Sequence, residues 1–246
     1  MASTSDHLNK TPARESDPAV PGAEFSAAQL NWPSGFQQHK SWRWQALRPG
    51  IAGSATPGNT MNLALGIALY ASLCKAEGLP LRFPGSAQNW CSSVDYTDGA
   101  LRAATAPAAR NQAYNINNGD IWRWGKLWPL IARWFELECA PPVSLSFQKL
   151  FADYRGAWRA LAEQHKVQEA DILQLNDEQF ADFVFGWDYD MFGDGSKLRR
   201  AGVTQYCATE EMFFSLFSQL RAGRIIPWRF AAVILAIPAL SQCWFP

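Results

Sequence analysis

The sequence lacks the residue clusters that announce most chemistries. Its five cysteines, Cys74, Cys91, Cys139, Cys207 and Cys243, are scattered singly through 246 residues. No CxxC pair occurs and the number is odd, which argues against a disulfide framework or a thiolate zinc site. A reducing, cytoplasmic setting is expected. Histidine is scarcer: His7, His39 and His165 make no HxxxH or HxE pair, so no metal site is expected and the three read as lone surface residues. Neither sign of charge is in excess, since Lys plus Arg and Asp plus Glu both number 22. Nothing therefore tracks a phosphate backbone, and nucleic acid is not an expected partner. The first 30 residues hold no apolar run behind a basic start, so no secretory signal is expected.

A dinucleotide fingerprint is missing too. That fingerprint needs closely spaced glycines directly after a strand, so that the amides of a helix N-terminus approach the pyrophosphate. Gly50 and Gly53 give only GxxG before Gly58 breaks the spacing, and Gly193-Asp194-Gly195 is followed by Leu198 where a small residue is required. Of the six tyrosines, Tyr70, Tyr96, Tyr114, Tyr154, Tyr189 and Tyr206, none has Lys four residues on, the helical spacing that sets an ammonium beside a phenol. Asp188 to Asp194 offers carboxylates at positions 1, 3 and 7 of a calcium loop, but Phe192 stands where an oxygen ligand belongs and Arg199 where the closing Glu should be.

What is present is an α/β pattern organised around Trp42 to Gly85. Trp42, Trp44 and Ala46 alternate with Arg43, Gln45 and Leu47, which predicts a half-buried strand ended by Arg48-Pro49-Gly50. Pro49 to Asn59 reads as a loop at that strand's carboxyl end, where open α/β sheets bind their ligands. Met61 to Ala76 is apolar nearly all round and predicts a buried helix stopped by Gly78; Leu79 to Gly85 reads as a short edge strand between prolines. Farther on, Ala113 to Ile116 is strand-like, and Asp120 stands where it would cap a helix over Ile121 to Phe135. Phe147 to Gln164 and Glu210 to Arg221 predict two further helices. Residues 1–23 are polar and read as loop or disordered. Residues 228–246 form an apolar tail interrupted by Arg229 and Pro238, too short in its charge-free part to span a membrane.

The runs LRPGIAG, PGNTMNLALGIALYASLCKAEGLPLRFPG, AYNINNGDIWRWGKLWPLIARWF, FADFVFGWDYD and EEMFFSLFSQLRAGRIIP together resemble the progesterone 5β-reductase and iridoid synthase branch of the extended short-chain dehydrogenases/reductases. The resemblance covers roughly residues 10 to 227 and only the family's C-terminal half. It implies the C-terminal part of a Rossmann-like α/β fold, helix-rich, with an incomplete parallel sheet, residues 24–227 forming the substrate-binding half. By the same resemblance Pro49, Gly50 and Ile51 would lie against the nicotinamide of NADP(H) or NAD(H), and Met61, Phe185 and Trp187 would touch substrate. Phe183, Phe185, Trp187 and Tyr189 read equally as an apolar pocket wall or as plain core.

Departures from the family pattern matter as much. Family members carry NFYYxxED where this chain has EFSAAQLN, so Ser26 and Ala27 stand where the phenols belong and no catalytic residue is assigned. Asp95 to Pro107 resembles a family helix shortened by a turn or more. Two functions follow as expectations. One is an NAD(P)H-dependent reductase of enone or carbonyl groups in small terpenoid- or polyketide-like metabolites. The other is a non-catalytic remnant or interaction protein that keeps the substrate half, holds no cofactor alone, and meets a separate nucleotide-binding partner.

Overall fold

The structure, a computed structural model, describes residues 11–17, 24–59, 61–97, 110–175 and 178–227. In chain order these form α1 (Glu24–Phe36), β1 (Gln45–Pro49), β2 (Ile51–Ala52), α2 (Leu63–Ala76), β3 (Leu81–Arg82), α3 (Ala87–Trp90), β4 (Tyr96–Thr97) and β5 (Gln112–Ile116). They continue with α4 (Trp124–Trp134), β6 (Cys139–Ala140), α5 (Phe147–Asp153), α6 (Arg155–His165), α7 (Glu178–Phe185), α8 (Ser196–Arg200) and α9 (Thr209–Ala222). The strands pair as β1 with β5, β2 with β4 and β3 with β6, each pair parallel. The α/β class with an incomplete parallel sheet, expected from sequence, is the class observed.

Helix α2 has no charged residue before Lys75, and a helix apolar on every side must be covered on every side. Every residue from Leu63 to Cys74 is buried. Helices α9, α7 and α6 supply cover, and α9 also reaches α4. Asn62 caps α2 by accepting from the Leu65 amide (3.3 Å) and donates to the Ser54 carbonyl (2.9 Å), so the cap also fixes the loop before it. A second focus is Phe83, just past β3, with ring centroids at 5.3 Å from Trp90, 5.6 Å from Trp124, 5.2 Å from Trp128 and 5.4 Å from Phe185.

Three sequence expectations shift. The strand expected over Trp42 to Leu47 begins at Gln45 and runs through Pro49, because its partner starts only at Gln112, after Asn111 turns at φ 55°. Trp44 is tied to Asn111, through the Asn111 side-chain oxygen (3.1 Å) and amide (2.6 Å). Asp120 does not cap the helix that follows it, which begins at Trp124; it accepts from the Thr209 amide and hydroxyl, both at 2.8 Å, and so caps α9. The helix expected over Phe147 to Gln164 breaks at Tyr154 into α5 and α6. Asp182 receives the amides that open α5, Arg155 pairs with Asp171 at the start of α6, and Gly156 in the first turn of α6 weakens helix continuity across the break.

Within the polar segment 1–23, residues 11–17 are a loop that is pinned. Ala13 exchanges backbone bonds with Phe192 (3.0 Å) and Asp194 (2.7 Å), and Thr11 donates to the Asp190 carbonyl (2.9 Å). The expectations for the shortened helix over Asp95 to Pro107, beyond residue 97, and for the tail at 228–246 lie outside the described residues.

Phe83→Ala should empty the centre of the aromatic cluster and cost about 3–5 kcal/mol of stability, read as a lower urea midpoint with an unchanged slope.

Candidate functional site at the carboxyl end of the β1–β5 pair

Parallel strands leave their carboxyl ends free of ladder partners, and ligands of open α/β sheets bind there. At that end of β1 the chain turns through Pro49, Gly50 and Ile51 into β2. The turn is held from behind: the Ile51 amide donates to the Asp95 carbonyl (2.7 Å) and the Gly50 amide to the Ile116 carbonyl (3.3 Å). A Cβ on Gly50 would lie 2.5 Å from the Asp95 oxygen and 2.6 Å from its Cβ, so the close approach itself demands glycine. At Gly53 a Cβ would meet the tip of the Leu216 side chain at 2.5 Å, a contact that a shift of that flexible side chain can relieve.

Asp95 is the group that sequence reasoning passed over. Its carboxylate accepts from the Gly193 amide at 2.5 Å, its amide donates to the Met191 carbonyl at 2.9 Å, and Asn117 at the end of β5 donates to the Gly193 carbonyl at 2.9 Å. Burial pushes the Asp95 carboxyl up to about 6, with Asp120 adding to the rise; the Gly193 amide, the Asn117 side chain and Arg199 oppose it. Asp95, through its backbone and its carboxylate together, thus ties the start of β2, Asn117 beyond β5 and the 191–193 strand-like segment into a single wall behind the loop. No local periodicity marks it, because its partners lie far along the chain.

The other expected site residues are dispersed. Pro49 is exposed, Gly50 is half-buried and Ile51 is 5% exposed with its amide already used. Met61 is exposed at the edge of the Asn62 cap. Phe185 is buried in the Phe83 cluster and stacks on Phe147 with centroids 5.4 Å apart, so for this residue core packing prevails over a pocket wall. Trp187 is 8% exposed and stacks on Tyr189, with Phe183 against its edge and mostly in water. A cleft lined by Asn117, Asn118, Arg199, Gln205, Tyr206 and Cys207 opens beside β5, but none of the six expected residues lines it. Tyr70, Tyr96 and Tyr114 are buried, and burial raises the hydroxyl of each of the first two, so neither is placed as a proton donor to a ligand.

A nicotinamide cofactor fits these residues only in part. Pro49 and the Gly50 backbone can back a flat ring, whereas the space beside Gly50 is filled by Asp95 and offers no cradle for a pyrophosphate. Among the described residues no glycine-rich turn opens a helix in the way a dinucleotide requires.

Comparison with known proteins gives this arrangement a context. The family model described as a PRISE-like Rossmann-fold domain matches residues 4–227. The chain is 29% identical over 203 residues to a (S)-8-oxocitronellyl enol synthase of Nepeta racemosa, a match that covers 78% of this chain and 51% of that protein. It is 28% identical over 193 residues to a 3-oxo-Delta(4,5)-steroid 5-beta-reductase of Arabidopsis thaliana, covering 75% and 50%. The chain thus spans about half the length of these curated relatives. Among solved structures, RMD from Pseudomonas aeruginosa complexed with NADPH superposes with a TM-score of 0.51 at 14% identity, over 87% of this chain and 61% of that one. At that identity the likeness shows the fold alone.

Two outcomes test the geometry. Gly50→Ala should cost about 1–3 kcal/mol, since overpacking here meets backbone rather than a flexible tip. Asp95 has a folded pKa of about 6 against an ordinary 3.8. Its contribution to stability is therefore full below pH 3.8 and lost as pH rises through 6. Asp95→Asn, isosteric with the protonated acid, should remove that part of the pH dependence, at most about 3 kcal/mol. Parallel melting curves of the two proteins between acid and neutral pH read the difference.

Proposed function

The chain belongs to the PRISE-like Rossmann-fold family, and we propose that it is the substrate half of an NAD(P)H-dependent reductase acting on enone or carbonyl groups of small terpenoid- or polyketide-like metabolites. The observation that carries this reading is the Pro49–Ile51 turn, braced by Asp95 at the carboxyl end of β1 in a chain of this family. The cofactor, when bound, supplies hydride. This chain's own part is to present a rigid apolar backing at Pro49 and Gly50 and to hold the turn in place through Asp95. Thiols at Cys74, Cys91, Cys139 and Cys207 support a reducing, cytoplasmic location; among the described residues no helix is long and apolar enough to cross a membrane.

A second reading, a binding remnant without turnover, is favoured by one sequence fact: Ser26 and Ala27, on α1, occupy the motif positions of the family's phenols. An activated enone accepts hydride when its oxygen is merely polarised, so loss of the phenol slows the reaction by about 10²–10³ without forbidding it.

Calorimetric titration of the 246-residue chain with NADPH should show no saturable binding in the low micromolar range, about −8 kcal/mol. Adding the N-terminal portion of a curated relative should then permit slow NADPH oxidation with a simple enone, accelerated by Ser26→Tyr with Ala27→Tyr. Fast turnover by the unmodified chain alone would overturn the remnant reading. No turnover in any combination would overturn the reductase reading.

A further inference from the structure

Residues 188–194 are fastened differently from the chain on either side of them. Trp187 is 8% exposed, and Gly195 is buried against Asn117, where a Cβ would lie 2.9 Å from the side-chain oxygen, yet none of the residues between them is buried. A segment without buried side chains is held chiefly by its polar contacts, and such segments are the first to open locally. Its backbone makes two isolated bridges, Met191 with Val94 and Gly193 with Ala13, rather than a ladder.

Carboxylates supply most of the remaining hold. Asp188 accepts from the Ser86 hydroxyl, Asp190 accepts from the Ser93 amide (2.9 Å) and pairs with Arg123 (2.7 Å), and Asp194 pairs with Arg14 (3.5 Å). Midway, the Gly193 peptide is gripped on both sides, its amide by the Asp95 carboxylate (2.5 Å) and its carbonyl by the Asn117 side chain (2.9 Å). Asp95 is the half-buried member of this set that does not belong to the segment itself, and burial holds its carboxyl up at about 6. Two charges act on it in opposite senses, Asp120 raising it and Arg199 lowering it. The segment's own Asp190 and Asp194 face Arg123 and Arg14, and Glu15 on the 11–17 loop is taken by the Asn115 amide.

We propose that residues 188–194 are a strap released by ionisation of Asp95: it lies against Ser93–Asp95 and Asn117 while that carboxyl is neutral, and lifts between Trp187 and Gly195 when it is charged. Lifting the strap breaks a few polar contacts and returns the carboxylate to water. The other way to water opens the β2–β4 pair, where Ile51, Tyr96 and Thr97 are buried, and that costs core. The sign follows from the pKa values: a carboxyl raised from 3.8 to about 6 favours the closed strap fully below 3.8 and loses that preference as pH rises through 6. The Pro49–Ile51 turn stays in place, because the Ile51 amide is held by the Asp95 carbonyl, which the strap does not touch. Under the reductase reading, on which this consequence alone rests, the lifted strap admits a small molecule to the ground beside that turn.

The test is amide hydrogen exchange of the full chain with no cofactor added, at about pH 4.5 and about pH 7.5, expressed as protection over the unfolded chain so that the intrinsic pH dependence cancels. The Met191 and Gly193 amides should lose protection about tenfold or more between the two, while Leu69 in α2 and Phe217 in α9 keep theirs. In Asp95→Asn that loss should vanish. Asp190→Asn, which removes a clasp without touching Asp95, should lower the strap's protection at both pH values and leave their ratio as it was. Strap protection that ignores pH, a loss shared equally by α2 and α9, an equal loss in Asp95→Asn, or indifference to Asp190→Asn would each overturn the proposal. No arm of the experiment needs NADPH or turnover, so a failed reductase reading leaves the strap standing and a rigid strap leaves the reductase reading untouched.

Discussion

A helix with no side that tolerates water dictates the arrangement of this protein. With twelve consecutive residues of α2 buried, other helices must close around it, and the positions of α6, α7 and α9 follow from that need. The helix also transmits its position to the chain before it. Asn62, 1% exposed and bonded both to the first turn of α2 and to the Ser54 backbone, couples the loop after β2 to the core. The Pro49–Ile51 turn is thereby placed from both sides, by α2 through Asn62 and by the Ile116 carbonyl of β5 together with Asp95 just before β4. A proposed cofactor-facing surface that must not yield when a ligand presses on it needs such double anchorage.

Two half-buried carboxylates do for distant segments what caps do for neighbours. Asp95 gathers the Gly193 amide, and Asp120 gathers the Thr209 amide and hydroxyl, each across about 90 positions of sequence or more. Charge-assisted bonds to backbone amides are among the stronger ones available to a folded chain. They fasten the C-terminal segments near the carboxyl ends of β4 and β5, beside an aromatic run in which Phe185 and Trp187 are buried while Phe183 stays mostly in water.

These distant fastenings explain what was and was not legible in the sequence. α2, α9 and β5 are readable because their signals, continuous apolarity or alternation between clear stops, are local and agree with the tertiary outcome. The shift of the first strand to Gln45–Pro49 is not readable, because it depends on where β5 begins. Asp120 precedes a helix and looks like its cap, yet Thr209, remote in sequence, is the better-placed donor. Phe185 is apolar in either role, so composition cannot separate core from pocket; only the convergence of Phe83, Trp124 and Phe147 on it does. Asp95 carried no signal at all, since its importance lies in the amides that others bring to it.

The outer edge of β1, along which no described strand lies, has a consequence for the chain's life in a crowded solution. Before any such side of a strand is paired it is a template for any extended segment that passes, and the hazard is present during folding, when the β1–β5 pairing must close a long loop before it forms. Two residues of β1 itself limit this. Pro49 cannot donate to an incoming strand, and Arg48 places a charge in the middle of any stacked edge. Protein quality control would therefore meet a segment whose propensity to aggregate rests on two side chains, and substituting either with valine would shorten the time the unaccompanied chain survives in solution.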